Sequence, residues 1–370
     1  MKILVLGGTG PTGPLIIDGL LARGHRVTVL HGGQHEVDLP DAVEHLHGDV
    51  HFATTLEAAL GNRTFDTVLA MYGRLRETSD VMAGRTGRLI AVGTTAALAG
   101  PRDPRWGPMG RPVLVADAER IPPDPASAGL LARVQAAADH LMAHHAAGDY
   151  AATLLGYAIL YGPRQVAPEE WSVVRRILDG RRRLVIADGG LKLQQRLYVD
   201  HAAAAVLLTV DRPAETAGRF LAVGERPLYT IRQRIEAICR ALGVETGRDL
   251  DLVDLPYELA TPAHYLWGRS AGHSLADDEP IRALGYAETV PTDEAIGRTV
   301  RWLRDNRAEH AAEWDAQVDD TFDYDGEDTL LERWDRARTE LAAIQVERRT
   351  PAHRYRLPKA PNEGWSRPGR

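Results

Sequence analysis

The chain has 370 residues, room for about two domains, and 44% of them are apolar, which excludes wholesale disorder. Forty-four Lys and Arg against 51 Asp and Glu leave a net charge of −7, against the basic balance of a nucleic-acid binder. A single cysteine, Cys239, excludes an internal disulfide and any multi-cysteine zinc or iron–sulfur site.

The first ten residues, MKILVLGGTG, lack a signal-peptide pattern and read as the opening of a fold. Apolar runs are too short for a membrane span, so a cytoplasmic protein with no membrane partner is expected. Lys2–Leu6 suits a strand buried on both faces of a parallel sheet. Gly7 to Gly13 follow at once, and then Leu15, Ile16, Leu20 and Leu21 recur at helical spacing, with Pro14 tolerated in the first turn. Arg26–Leu30, Val43–Leu46, Thr67–Ala70 and Arg88–Val92 are predicted strands, with helices near Thr55–Leu60 and Glu77–Ala83. This alternation predicts an α/β fold, a Rossmann-type doubly wound parallel sheet.

Prolines crowd residues 100–125, which predicts a loop over the mouth of the sheet. Ala126–Ala147 reads as one alanine-rich helix and Ala151–Leu160 as a sixth strand. Farther on, helices are predicted at Trp171–Leu178, Ala202–Val210 and Ile231–Leu242, and strands at Arg183–Ala187, Arg219–Val223 and Leu252–Leu255. The expected division is a nucleotide domain over 1–162, completed by parts of 196–225, and a smaller interleaved substrate lobe over 163–305. A charged helical extension and tail covers 306–370.

Gly7, Gly10 and Gly13 form G-x-x-G-x-x-G between a strand and a helix. Such a turn must be tight, let a pyrophosphate approach backbone without a Cβ in the way, and pack the helix closely on the strand. The helix N-terminus then offers free N–H groups to the phosphates. The expected cofactor-binding set is Gly7, Thr9, Gly10, Pro11, Thr12 and Gly13 in this turn, with His31, Asp49, Val50, Ala70, Met71 and Tyr161. NAD-binding units place Asp or Glu at the end of the second strand to hold the ribose 2′-OH. Here His31, Gly32, Gly33, Gln34 and His35 stand before the first carboxylate, Glu36, so NADP is favoured over NAD.

The glycine turn, Gly48-Asp49-Val50, Tyr161-Gly162-Pro163-Arg164, Arg196-Leu197-Tyr198-Val199-Asp200-His201-Ala202 and Ala283-Leu284-Gly285-Tyr286 together resemble the extended short-chain dehydrogenase/reductase superfamily, in its NAD-dependent epimerase/dehydratase family. The likeness covers about residues 1–305, and Val37–Val50 looks more like the atypical branch that includes plastid stem-loop-binding proteins. It implies a Ser or Thr hydroxyl that orients the substrate oxygen, at Thr95 with Thr94 as neighbour, and a Tyr-x-x-x-Lys pair that moves the proton. It also implies that Arg196 grips a nucleotide-sugar pyrophosphate. The helix expected to open with the pair instead reads Ala126-Ser127-Ala128-Gly129-Leu130-Leu131-Ala132-Arg133-Val134-Gln135-Ala136, without tyrosine or lysine.

Three readings follow from that departure. The chain is an NAD(P)-dependent oxidoreductase of a small-molecule ketone or secondary alcohol with a substitute proton donor, Tyr72, Tyr157 or water. Alternatively it is a non-redox isomerase or cyclase, or a sensor or scaffold that binds the dinucleotide without turnover. No nucleic-acid partner is expected, and a homodimer is expected only by analogy with relatives. His140, His144 and His145 share one helix, but with Asp139 the only carboxylate beside them a solvated face is expected and no metal.

Overall fold

The computed structural model describes residues 1–33, 37–71, 73–95, 130–262 and 272–347. They fall into two bodies, Met1–Asp323 and the residues from Tyr324 on, which include a helix at Tyr324–Ala342.

The first body is built on seven parallel strands in the order β3-β2-β1-β4-β5-β6-β10. They are β1 (Lys2–Leu6), β2 (Arg26–His31), β3 (Glu44–His47), β4 (Thr67–Ala70), β5 (Arg88–Thr94), β6 (Ala151–Tyr157) and β10 (Arg219–Val223). This is the Rossmann strand order with one strand added beyond β6, and its direction reverses between β1 and β4. Successive residues of a strand point to opposite faces. Ile3 and Val5 of β1 accordingly pack under α1 (Gly13–Ala22) with Ile16, Ile17 and Leu20. Leu4 and Leu6 pack on the other face with Leu56 and Leu60 of α2 (Ala53–Leu60) and Val81 and Met82 of α3 (Leu75–Met82). Leu141 of α4 (Leu130–Ala147) completes that layer. Cover on both faces explains the unbroken apolar run Ile3–Leu6 of β1.

Two sequence expectations change. The run Ala151–Leu160 is not one strand: β6 ends at Tyr157, and β7 (Ile159–Tyr161) leaves the main sheet to pair with β9 (Arg196–Tyr198). An unbroken apolar run carries no mark of where its pairing partner changes. The second change concerns the predicted boundary at 306, because the first body continues to Asp323. Trp314 of the helix Arg307–Gln317 is buried against Trp171 with ring centres 5.0 Å apart, and the Trp171 indole N–H donates to Asp315 at 2.8 Å. Asp320 forms a two-pronged ion pair with Arg176 at 2.5 and 3.1 Å, both side chains 2% exposed. These contacts tie 307–323 to the lobe. That lobe also holds the pair β8 (Arg183–Ala187) and β11 (Asp251–Leu255). The predicted proline-rich loop, and the start of the predicted helix at Ala126, lie outside the described residues.

Candidate active site

Each glycine of the turn has its own task. Gly7 and Gly8 take φ of 92° and 81°, a backbone that favours glycine. The Gly7 N–H donates to the Leu30 carbonyl at 2.9 Å and ties the turn to β2. A Cβ on Gly13 would lie 1.9 Å from the Gly8 carbonyl oxygen, so only glycine lets α1 begin this close to β1. A Cβ on Gly10 would meet nothing within 4 Å. Thr12 caps α1 through its position alone, without a side-chain bond to the first turn; there the Gly13 N–H donates to the Gly10 carbonyl at 3.1 Å and Pro14 has no N–H, so Leu15 brings the one first-turn N–H that the turn does not use.

A cavity of about 710 Å³ opens on this turn, within the span of about 300–1,000 Å³ usual for ligand pockets. Its walls are Gly7 to Gly13, then His31, Gly32 and Gly33 after β2, Gly48 to His51 after β3, Met71 after β4, and Val166 from the lobe. Backbone bonds fix the rim: Met71 N–H to the Leu6 carbonyl at 3.0 Å, and Gly48 N–H to the His31 carbonyl at 3.0 Å. The site therefore lies at the carboxyl ends of the strands, where the strand order reverses.

His31 is almost wholly buried, its Nδ1 accepting from the Gly33 N–H at 3.2 Å and its ring 4.8 Å from that of His47. Among the described residues Asp49 is the one acid on the cavity wall. Its Oδ1 lies 2.8 Å from both the backbone N–H and the Nδ1 of His51, and these bonds hold the carboxyl below its ordinary value. A glycine cradle with room over Gly10 and a cavity of this size fit a dinucleotide.

Of the residues expected to bind the cofactor, those of the glycine turn together with His31, Asp49, Val50 and Met71 line the cavity. Ala70 and Tyr161 do not. Ala70 is buried in the core beneath Met71. The Tyr161 hydroxyl donates to Glu225 at 3.1 Å, with the Arg234 guanidinium 3.9 Å from its ring centre. Arg196 is also drawn away: it is 2% exposed, donating to Glu169 and Gln194 at 2.5 Å each. The cavity beside it holds about 10 Å³, too little for a pyrophosphate. The family arginine thus serves a buried polar network here.

Thr94 ends β5 and Thr95 follows it, both partly exposed; Thr94 faces Tyr157 in register, and the Thr95 N–H donates to the Tyr157 carbonyl at 3.0 Å. The Tyr157 hydroxyl points the other way, donating to the Ala202 carbonyl at 3.0 Å inside the core. Burial lifts this phenol well above its ordinary value, so it stays protonated and bonded inside the core. Tyr157→Phe should leave turnover within about twofold and cost about 1 kcal/mol of stability, read from steady-state rates beside a denaturant melt. A hundredfold rate loss would restore Tyr157 to the chemistry. Tyr72 lies outside the described residues.

Sequence reasoning missed Gly8, Gly32, Gly33, Gly48, His51 and Val166 on the cavity wall. All but Val166 flank residues it had singled out, whereas Val166 arrives from the lobe with no local signal. It also passed over Lys192, which burial, with Arg196 close by, pulls down to about 8.

A family model for the NAD dependent epimerase/dehydratase family matches residues 3–224. The chain belongs to that family. It is 28% identical over 317 residues to a 3-diazoavenalumate denitrifying reductase from a Streptomyces species, covering 80% of this chain and 100% of that protein. It is 32% identical over 152 residues to a dTDP-glucose 4,6-dehydratase from Streptomyces antibioticus, 40% of each chain. Among solved structures, dTDP-glucose 4,6-dehydratase from Bacillus anthracis in complex with NAD superposes with a TM-score of 0.63 at 15% identity, covering 85% of this chain and 99% of that one. UDP-glucuronic acid 4-epimerase from Bacillus cereus, in complex with UDP-glucuronic acid and NAD, gives 0.62 at 15% identity, covering 82% and 99%. At those identities the structural likeness speaks for the fold alone.

Proposed function

We propose that this chain binds NADP(H) in the Gly7–Gly13 cradle and reduces a small-molecule electrophile without the family's tyrosine–lysine pair. The observation that carries the reading is a cavity walled by the glycine turn and by His31, Gly32 and Gly33, where an NAD site would hold a carboxylate. An acid there would repel a 2′-phosphate; an imidazole and two glycines do not. A reduced nicotinamide supplies hydride, either to a ketone, which also needs a proton, or to a diazonium group, R–N₂⁺, which becomes R–H and N₂ without one. In the ketone reading Thr95 donates its hydroxyl to the substrate oxygen, and Tyr72 or water delivers the proton. The diazo reading is favoured by the reductase matched over its whole length, because a substrate of that class makes the missing pair dispensable.

Titration of the purified protein with NADPH and NADH, followed by fluorescence, tests the cofactor. Saturable NADPH binding with weak NADH binding is expected; no binding of either would end the oxidoreductase reading, and tightly retained NAD would favour internal redox as in an epimerase. NADPH oxidation against ketones and diazo compounds then tests the substrate. On a ketone, Thr95→Ala should lower kcat about tenfold for one lost hydrogen bond. On a diazo compound it should leave kcat unchanged, since there is no oxygen to orient.

A further inference from the structure

Far along α4 from the residues that replace the missing pair, the fold assembles a cluster that the dinucleotide site does not use. His140 and His144 stand one helical turn apart and present Nε2 atoms to the same side of the helix. Asp80, sixty positions earlier on α3, places Oδ1 at 2.7 Å from His140 Nε2 and 3.0 Å from His144 Nε2. The three ligand atoms all lie within 4.8 Å of one another. Asp149, just past the end of α4, takes the other nitrogen of His144, with Oδ2 2.7 Å from Nδ1.

We propose that Asp80, His140 and His144 form a binding site for a divalent transition metal, zinc by its ligand chemistry, that staples α3 to α4. Two imidazoles and one carboxylate are a common zinc donor set. Zinc bonds of about 2.0–2.1 Å put tetrahedral neighbours roughly 3.3 Å apart, so the contacts of 2.7 and 3.0 Å open slightly while ligand atoms up to 4.8 Å apart draw in. The Asp149–His144 contact is the carboxylate–histidine arrangement that supports metal ligands: the carboxylate keeps the proton on Nδ1 and turns the lone pair of Nε2 toward the ion.

The ring of His144 is also fixed by packing. Tyr150 stacks on it at 5.5 Å with 17° between planes, and the Tyr150 hydroxyl is anchored to the Ser79 carbonyl, next to Asp80, at 3.2 Å. Both helices are thereby held in register at the site before any ion arrives. Asp80 is 58% exposed at its side chain and His140 29%, so an ion can enter from solvent and keep water as its fourth ligand. A metal needs the lone pair of each ligating Nε2, so any proton held there is released on binding.

The test is a titration of the full chain, first stripped with a chelator, with ZnCl₂ against a chromophoric competitor and with CoCl₂ read by visible absorption. One equivalent per chain is expected, with tetrahedral or five-coordinate cobalt bands and a Tm that rises with zinc. Asp80→Asn and His140→Gln should each weaken zinc by about 100-fold or more, and Asp149→Asn by about 10–100-fold. Dinucleotide binding should stay intact in all three, which separates loss of the metal from loss of the fold. Wild-type protein that takes up no stoichiometric zinc at micromolar concentration would overturn the proposal. So would three variants that bind zinc as the wild type does, since the ion would then sit elsewhere.

Discussion

Gly13→Ala is expected to weaken dinucleotide binding at least about 100-fold, about 2.7 kcal/mol, and to lower stability by about 1–3 kcal/mol. The added methyl would stand 1.9 Å from the Gly8 carbonyl oxygen and 2.8 Å from its Cα. No side chain can swing aside to relieve a backbone clash, so α1 must move off β1, and the backbone of the turn leaves the place where phosphate would meet it. Gly10→Ala makes the comparison sharp. Its methyl meets no protein atom within 4 Å, so the melt should match wild type while the affinity falls. Fluorescence titration and denaturant unfolding of both variants decide the matter. Equal affinity in Gly13→Ala would show that the turn is not where the dinucleotide sits.

Asp320→Ala is expected to cost about 3–5 kcal/mol, the usual penalty for leaving a buried charge without its partner. Arg176 would keep its bond to the Ser172 carbonyl at 2.9 Å and its place 5.1 Å from the Phe322 ring, but its charge would stay in a site 2% exposed. Asp320 also accepts from the Phe322 N–H at 2.9 Å, so the turn that closes the first body loosens as well. Urea unfolding of the full chain, with tryptophan emission reporting on Trp171 and Trp314, measures the loss. The pair Arg176→Met with Asp320→Leu should recover most of it, because an apolar pair of similar volume needs no charge compensation. A loss below about 1 kcal/mol in the single variant would mean that the extension is held by its tryptophans alone.

Both expectations bear on how much the residues reveal unaided. The glycine turn was legible because each glycine answers a demand within seven positions of backbone, and strands such as Thr67–Ala70 and Arg219–Val223 were legible because burial on both faces forces an unbroken apolar run. The Arg176–Asp320 pair was not. Its members stand 144 positions apart, and each looks like an ordinary surface charge in its own neighbourhood. The surroundings of Tyr157 and Arg196 were hidden for a related reason: side-chain direction is set by what packs beside them, the Ala202 carbonyl for one, Glu169 and Gln194 for the other.

By itself, then, the sequence determined the parallel α/β frame, the glycine turn from Gly7 to Gly13 and the family to which the chain belongs. Helical and strand periodicity and turn chemistry are properties of near neighbours. Tertiary structure alone decided that β7 leaves the main sheet, that residues 307–323 belong to the lobe and that Val166 closes the cavity. It also brought Asp80 to the histidine pair of α4, where the sequence offered only Asp139. A carboxylate sixty residues away becomes a neighbour only once two amphipathic helices bury their apolar sides on the same face of one sheet. That shared burial carries no local signature in either helix.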